Sequence, residues 1–347
     1  MQRSLALAFV LAQFAASGYA QRPLEAPLHG LVLEGIELTL NQRHEEADSL
    51  FRLAAREYPD HPAGHVYRVG AFQARSIDYK LALDGPEFDS LLAKALEASQ
   101  RMIEMDPDNP WGYFFLGTTL GYDSYARVYR GDWLGGVMKG MSSVREFRKA
   151  VERDSSLLDA YVGIGTYTYW RSRKTEFLHW LPFVSDESDQ GIALVRKTAE
   201  GGIYNRYTAL SVLASIELDA GRPARARELV VEGLRRYPEN RIFLWERGEA
   251  EMLLHKYADA ANTYERLLSI LRSGNESNLY NEMVCLLNLA RAKTGVGDST
   301  AAFRMAQQAL ALGDRGFPKH LSARGEEKTD ELRQMVDQLS RFNTSNK

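Results

Sequence analysis

Small and bulky apolar residues recur along the chain in a fixed rhythm. Gly35 and Ala47 stand twelve residues apart, and Phe51, Ala54 and Pro59 follow at steps of four, three and five. Ala214, Ala226, Val230, Gly233 and Pro238 repeat the same steps much later in the chain. A small residue in one helix lets a second helix cross close to it, and a bulky residue one turn on fills the remaining gap. Proline then ends the second helix, because it has no N–H to donate. The rhythm predicts helix pairs separated by proline-bearing turns, of which Tyr58-Pro59-Asp60-His61-Pro62, Asp106-Pro107-Asp108-Asn109-Pro110 and Tyr237-Pro238-Glu239-Asn240 are three.

Further copies fit the same frame. One carries Leu116, Gly117, Leu120, Phe147 and Ala150, and another Val162 and Gly163. A third has Gly248, Ala260, Tyr264 and Leu267, and the last has Leu289, Ala290, Ala302, Ala306 and Ala309. Ala220-Gly221 and Gly295 are placed between paired helices, where a left-handed backbone costs glycine little. This pattern resembles the tetratricopeptide repeat, a helix–turn–helix unit of about 34 residues. The resemblance implies an all-α fold, a right-handed superhelix (α-solenoid) of about seven helix pairs spanning residues 21–347. Repeats are regular near 28–61 and 207–316, and stretched and aromatic-rich over 62–206. Residues 317–342 read as the polar capping helix that such arrays need. Strand signals are nearly absent.

The first twenty residues read differently. Arg3 is followed by an apolar run from Leu5 to Phe14, interrupted only by Gln13, and then by Ala15-Ala16-Ser17-Gly18-Tyr19-Ala20. A cationic start, a short apolar core and small residues before Gln21 match a secretory signal peptide cleaved after Ala20. The run has about half the length of a membrane-spanning helix, and no later stretch is long enough for one. The expectation is an exported protein, periplasmic or secreted, with no transmembrane span in the mature chain.

Composition narrows the function classes. The chain has 43 Lys and Arg against 46 Asp and Glu, a balance that argues against a nucleic-acid partner, which needs a clustered basic face. A single cysteine, Cys285, excludes an intrachain disulfide framework. His44-Glu45-Glu46-Ala47-Asp48 begins like a zinc-protease motif but has Asp48 where the second histidine is required. His61 and His65 flank the start of a helix, and Gly163-Ile164-Gly165 sits inside one, where phosphate finds no free N-terminus. Asp106, Asp108 and Asn109 lack the glycine and closing glutamate of a calcium loop. The sequence thus gives no catalytic residues, no metal site and no cofactor, and predicts a non-enzyme.

The aromatic residues are unevenly spread. Of 36, 16 fall between Trp111 and Phe183, including Trp111, Trp133, Trp170 and Trp180. One insert contains Tyr122, Tyr125, Tyr129, Trp133, Gly135, Gly136 and Gly140; another runs from Arg171 through Phe177–Val184 to Asp189. These rings either fill a bulkier core or line a recognition surface, since aromatics give large contact area at low entropy cost. In repeats of this kind the first helices line the concave face. On that basis Trp111, Phe114, Tyr122, Tyr125, Tyr167, Trp180, Phe183 and Trp245 are the candidate binding residues for a protein or peptide. Two other readings compete. One is a small-ligand protein whose pocket is closed by the 173–190 insert. The other is peripheral membrane contact through Phe177–Val184, weakened by its proline and its acidic exit.

Overall fold

The computed structural model describes residues 21–176, 185–273 and 278–345. Among these residues there are fifteen α-helices and no strand. They form seven consecutive pairs: α1 Leu28–Leu40 with α2 His44–Glu57, α3 Ala63–Tyr79 with α4 Pro86–Met105, and α5 Pro110–Tyr129 with α6 Trp133–Arg153. Next come α7 Tyr161–Lys174 with α8 Ser188–Gly201, and α9 Arg206–Asp219 with α10 Pro223–Arg236. The series ends with α11 Arg241–Leu253 and α12 Tyr257–Ser273, then α13 Leu279–Val296 and α14 Ser299–Gly313. A final helix, α15 Ser322–Ser345, packs on α14. The fold is an α-solenoid.

Local chemistry sets the helix ends. The side chains of Asn109, Asp132, Asn240 and Asp298 each accept a backbone N–H in the first turn of the helix that follows, replacing an absent intrahelical partner. Pro86, Pro110 and Pro223 occupy first-turn positions, where a missing N–H costs nothing. The turn between α9 and α10 takes Gly221 at φ +69°, whereas the turn between α13 and α14 takes Gly297 at φ +87°. Gly295 is not the turn residue that its spacing suggested; it lies within α13, where an added Cβ would come 2.3 Å from the Tyr257 ring.

The packing follows the small-to-bulky rhythm. A Cβ on Gly35 would lie 2.3 Å from the Phe51 ring, and one on Gly248 would lie 2.5 Å from Tyr264. Phe147 is shared: it lies against Gly117 on α5 and against Gly163 on α7, so a single ring joins two repeats. Ala47, Ala214, Ala226, Ala260, Ala290 and Ala302 are fully buried, while Pro59 and Pro238 stay exposed in their turns. The stretched middle region gains its length from the longer helices α4, α5 and α6 and from the connection over residues 175–187, since α7 and α8 have only 14 residues each. α4, α5 and α6 have 20, 20 and 21 residues, against 13 or 14 in α1, α2, α9, α10 and α11.

The solenoid also touches itself across its axis. The Asn240 amide donates to the carbonyl of Leu40 at 2.7 Å, and those of Asn278 and Asn281 donate to the carbonyl of Asp78 at 3.2 and 2.6 Å. Arg241 grips the Asp78 carboxylate through two hydrogen bonds, and a ring nitrogen of His320 lies 2.8 Å from the carbonyl of Lys80. Residues 21–29 cross to the middle of the array. There Gln21 exchanges hydrogen bonds with Asp159, and the backbone N–H of Leu24 donates to the Tyr204 hydroxyl. The first two pairs therefore lean on the fifth, sixth and seventh.

Candidate functional site

This closure decides where the candidate aromatic residues lie. Phe114, 1% exposed, is wedged among Trp111, Phe115 and Phe147, so it belongs to the core and lines no groove. Trp111 is half-buried, stacked on Phe115 at 5.8 Å and edge-on to Tyr204 at 5.7 Å. Tyr122 is half-buried and lines a cavity between the two halves of the array. Tyr167 is half-buried beside Gly140, and Trp245 packs near Tyr264 within the sixth helix pair. Tyr125 is exposed and stacked on Tyr129. Trp180 and Phe183, with the rest of Phe177–Val184, lie outside the described residues. Among the described residues these rings are spread over different surroundings: Phe114 lies in the core, Tyr122 lines the cavity, and Tyr125 is exposed.

A different surface stands out, on the first half of α6. Trp133, Leu134, Val137, Met138 and Met141 are 64, 74, 51, 61 and 56% exposed. Steps of three and four place them on one helix face. The reason lies on the opposite face. A Cβ on Gly136 would come 2.5 Å from Val128, Gly140 sits against Ser124 and Tyr167, and Ser143 donates to the carbonyl of Gly117 at 2.6 Å. Small residues pull α6 tightly onto α5 and α7, and the large apolar side chains are left pointing outward. The usual solvent-facing helix has the opposite polarity. Neighbouring cations are already paired: Lys139 with Asp123, Arg127 with Asp123 and Asp132, and Arg145 with Glu146.

The chemical candidates resolve into structural roles. His61 Nδ1 accepts the backbone N–H of Ala63 at 3.1 Å, and burial depresses its pKa to about 4. Asp48 is tied to Arg52 and Arg68, and Asn109 caps α5. Gly165 lies in α7 against the backbone of Gly191. Cys285 is fully buried and its thiol pKa is pushed up by burial. Among the described residues no three His, Cys, Asp or Glu side chains are grouped as metal ligands, and no helix is long and apolar enough to cross a membrane.

One buried carboxyl escaped sequence reasoning. Glu246 on α11 accepts hydrogen bonds from Ser211 and Ser215 of α9 at 2.6 and 3.0 Å, and burial pushes its pKa up to about 8. Serines and glutamate about one repeat of sequence apart carry no local signal; only the stacking of α9 beside α11 brings them together. His44 and Asp78 were equally invisible as a pair. They meet at 3.1 Å because α2 and α3 pack side by side.

The comparisons agree with this architecture. Residues 212–276 match the tetratricopeptide repeat family. No curated protein matches the chain. Among solved structures, the Cut9–Hcn1 hetero-tetramer of the APC/C superposes with a TM-score of 0.55 at 13% identity, covering 87% of this chain and 49% of that one. This chain thus spans about half of that subunit. YrrB, a TPR protein with an unusual peptide-binding site, gives 0.45 at 14% identity, over 67% of this chain and 98% of its own. Pseudomonas aeruginosa pilF gives 0.47 at 16% identity, over 79% and 96%. Residues 212–276 thus carry the tetratricopeptide-repeat match, and the described residues as a whole have the fold of a helical repeat array.

Proposed function

We propose that this chain is an exported, non-enzymatic scaffold that captures a partner protein on the outward face of α6. The observation that carries the reading is the inverted polarity of that helix: five large apolar side chains in solvent, three small ones against the core. Contiguous exposed apolar area of this kind marks interaction sites. The two methionines add an adaptable surface that accommodates an apolar helix of a partner. Paired cations around the stripe favour a protein over an anionic lipid surface. Export is supported by the sequence of residues 1–20.

A photo-crosslinking residue at position 138, compared with one at exposed Glu97, tests the reading in the native compartment. A discrete adduct at 138, lost when Val137 is replaced by Asp, supports it. Equal labelling at both positions counts against it, as does flotation of the protein with anionic vesicles through the same face. Retention of the chain in the cytoplasm when residues 1–20 are intact counts against export.

A further inference from the structure

We infer a second site, independent of the α6 face: a pocket on the concave side that takes a small uncharged molecule with an apolar body and a hydrogen-bond donor, of the phenol or indole class. Where α1 and α3 meet α9 and α11, they leave a cavity of about 250 Å³. Its apolar walls include Ile36, Leu40, Ala74, Ile77, Val212 and Phe243. None of residues 173–176 or 185–190 lines it; the lining comes from the closure of the solenoid instead.

Three lining residues carry buried polar atoms that have no hydrogen-bond partner among the described residues: His44 Nδ1, Tyr67 OH and Gln73 Oε1. His44 and Tyr67 are only 6 and 7% exposed. A buried polar atom left unpaired costs about 1–3 kcal/mol, and native proteins carry few of them. Three on one cavity wall point to an occupant that satisfies them.

Their chemistry defines that occupant. His44 Nε2 faces the Asp78 carboxylate at 3.1 Å; a carboxylate accepts, so Nε2 carries the hydrogen, which leaves Nδ1 as the acceptor of that tautomer. Gln73 offers a carbonyl oxygen, and the Tyr67 hydroxyl either accepts or donates. The occupant must therefore supply donors. Charge is already balanced, because Arg241 neutralises Asp78, so an ion would enter without a counter-charge. A cavity of about 150 Å³ holds benzene, which leaves room here for about ten non-hydrogen atoms. Exposed Thr208 on the rim marks the side open to solvent.

Calorimetric titration of the purified chain with 4-ethylphenol, indole and benzoate tests the site, together with Tyr67→Phe and Ala74→Leu. Expected are saturable binding of 4-ethylphenol or indole and its loss by about tenfold or more in A74L, whose added side chain fills the pocket. Y67F keeps the ring and loses one hydrogen bond, weakening the phenol by about fivefold. It stays interpretable should A74L fail to fold, and nuclear Overhauser contacts from the bound probe to Ala74 and Ile77 then locate it. Absence of binding by both neutral probes overturns the assignment. So do affinities unchanged in both variants, or benzoate binding as tightly as 4-ethylphenol.

Discussion

Asp78 at the end of α3 and Arg241 at the start of α11 form a buried ion pair across the axis of the solenoid, joined by two hydrogen bonds. The partner guanidinium and His44 hold the Asp78 carboxyl below the usual range against the opposing effect of burial. In an open array each repeat depends only on its neighbours. Here the second pair also depends on the sixth. Removing one member leaves a buried charge uncompensated, so Arg241→Met should destabilise the protein by about 3–5 kcal/mol. Denaturant unfolding should show the double variant Asp78→Asn, Arg241→Met to be less damaged than the sum of the singles. Additivity would mean that the pair is not coupled in solution.

Phe147 serves two glycines at once, and that makes a sharp test of packing. A Cβ on Gly163 would stand 2.2 Å from its ring. Gly163→Ala should cost about 1–3 kcal/mol through overpacking, and Phe147→Leu in the same chain should recover part of that loss. Thermal melts of the three variants decide it; a neutral Gly163→Ala would show that the ring is free to move aside.

Glu246 gives a pH signature. Its carboxyl ionises near 4.5 when unfolded but only near pH 8 in the folded chain. Between those values the unfolded state has released a proton that the native state keeps, so this group's contribution to stability falls as pH rises from 4.5 to 8 and is level beyond. Glu246→Gln retains an oxygen for Ser211 and Ser215 and removes the ionisation. Its stability relative to the parent chain should rise across that window by about 4–5 kcal/mol, with no gain below pH 4.5. Chemical denaturation at pH 4, 6 and 8.5 measures the difference.

Phe114 and Trp133, both aromatic and only nineteen residues apart in sequence, should behave in opposite ways. Phe114→Ala empties a closed part of the core and should cost about 3–5 kcal/mol. Trp133→Ser sits in solvent and should change stability by no more than about 0.5 kcal/mol. The proposed docking face predicts that only the second lowers crosslinking at position 138 in a fully folded protein.

The contrast shows what the sequence could and could not disclose. Gly35 with Phe51 and Gly248 with Tyr264 are contacts within one helix pair, and their spacing alone foretold them. Phe114 and Trp133 carry no such mark. Whether a ring faces the core or solvent depends on which side of a helix its neighbours make flat, and at α6 that was decided by Gly136 and Gly140. The cavity was further out of reach, since it exists only because Asp78, Arg241, Asn278 and Asn281 bring distant repeats into contact, and no local interval encodes such a meeting. The left-handed turn at Gly297, two residues from the glycine expected there, shows a smaller limit: α13 runs on while its packing against Tyr257 still favours a helix.

The seating of Gln21 has a bearing on timing. Its carboxamide is 6% exposed and clasped on both sides by Asp159, itself completely enclosed in the fourth repeat. Asp159 lies 138 residues further along the chain, so this clasp closes only after the fourth repeat has formed, and the head of the described chain settles later than the middle that receives it.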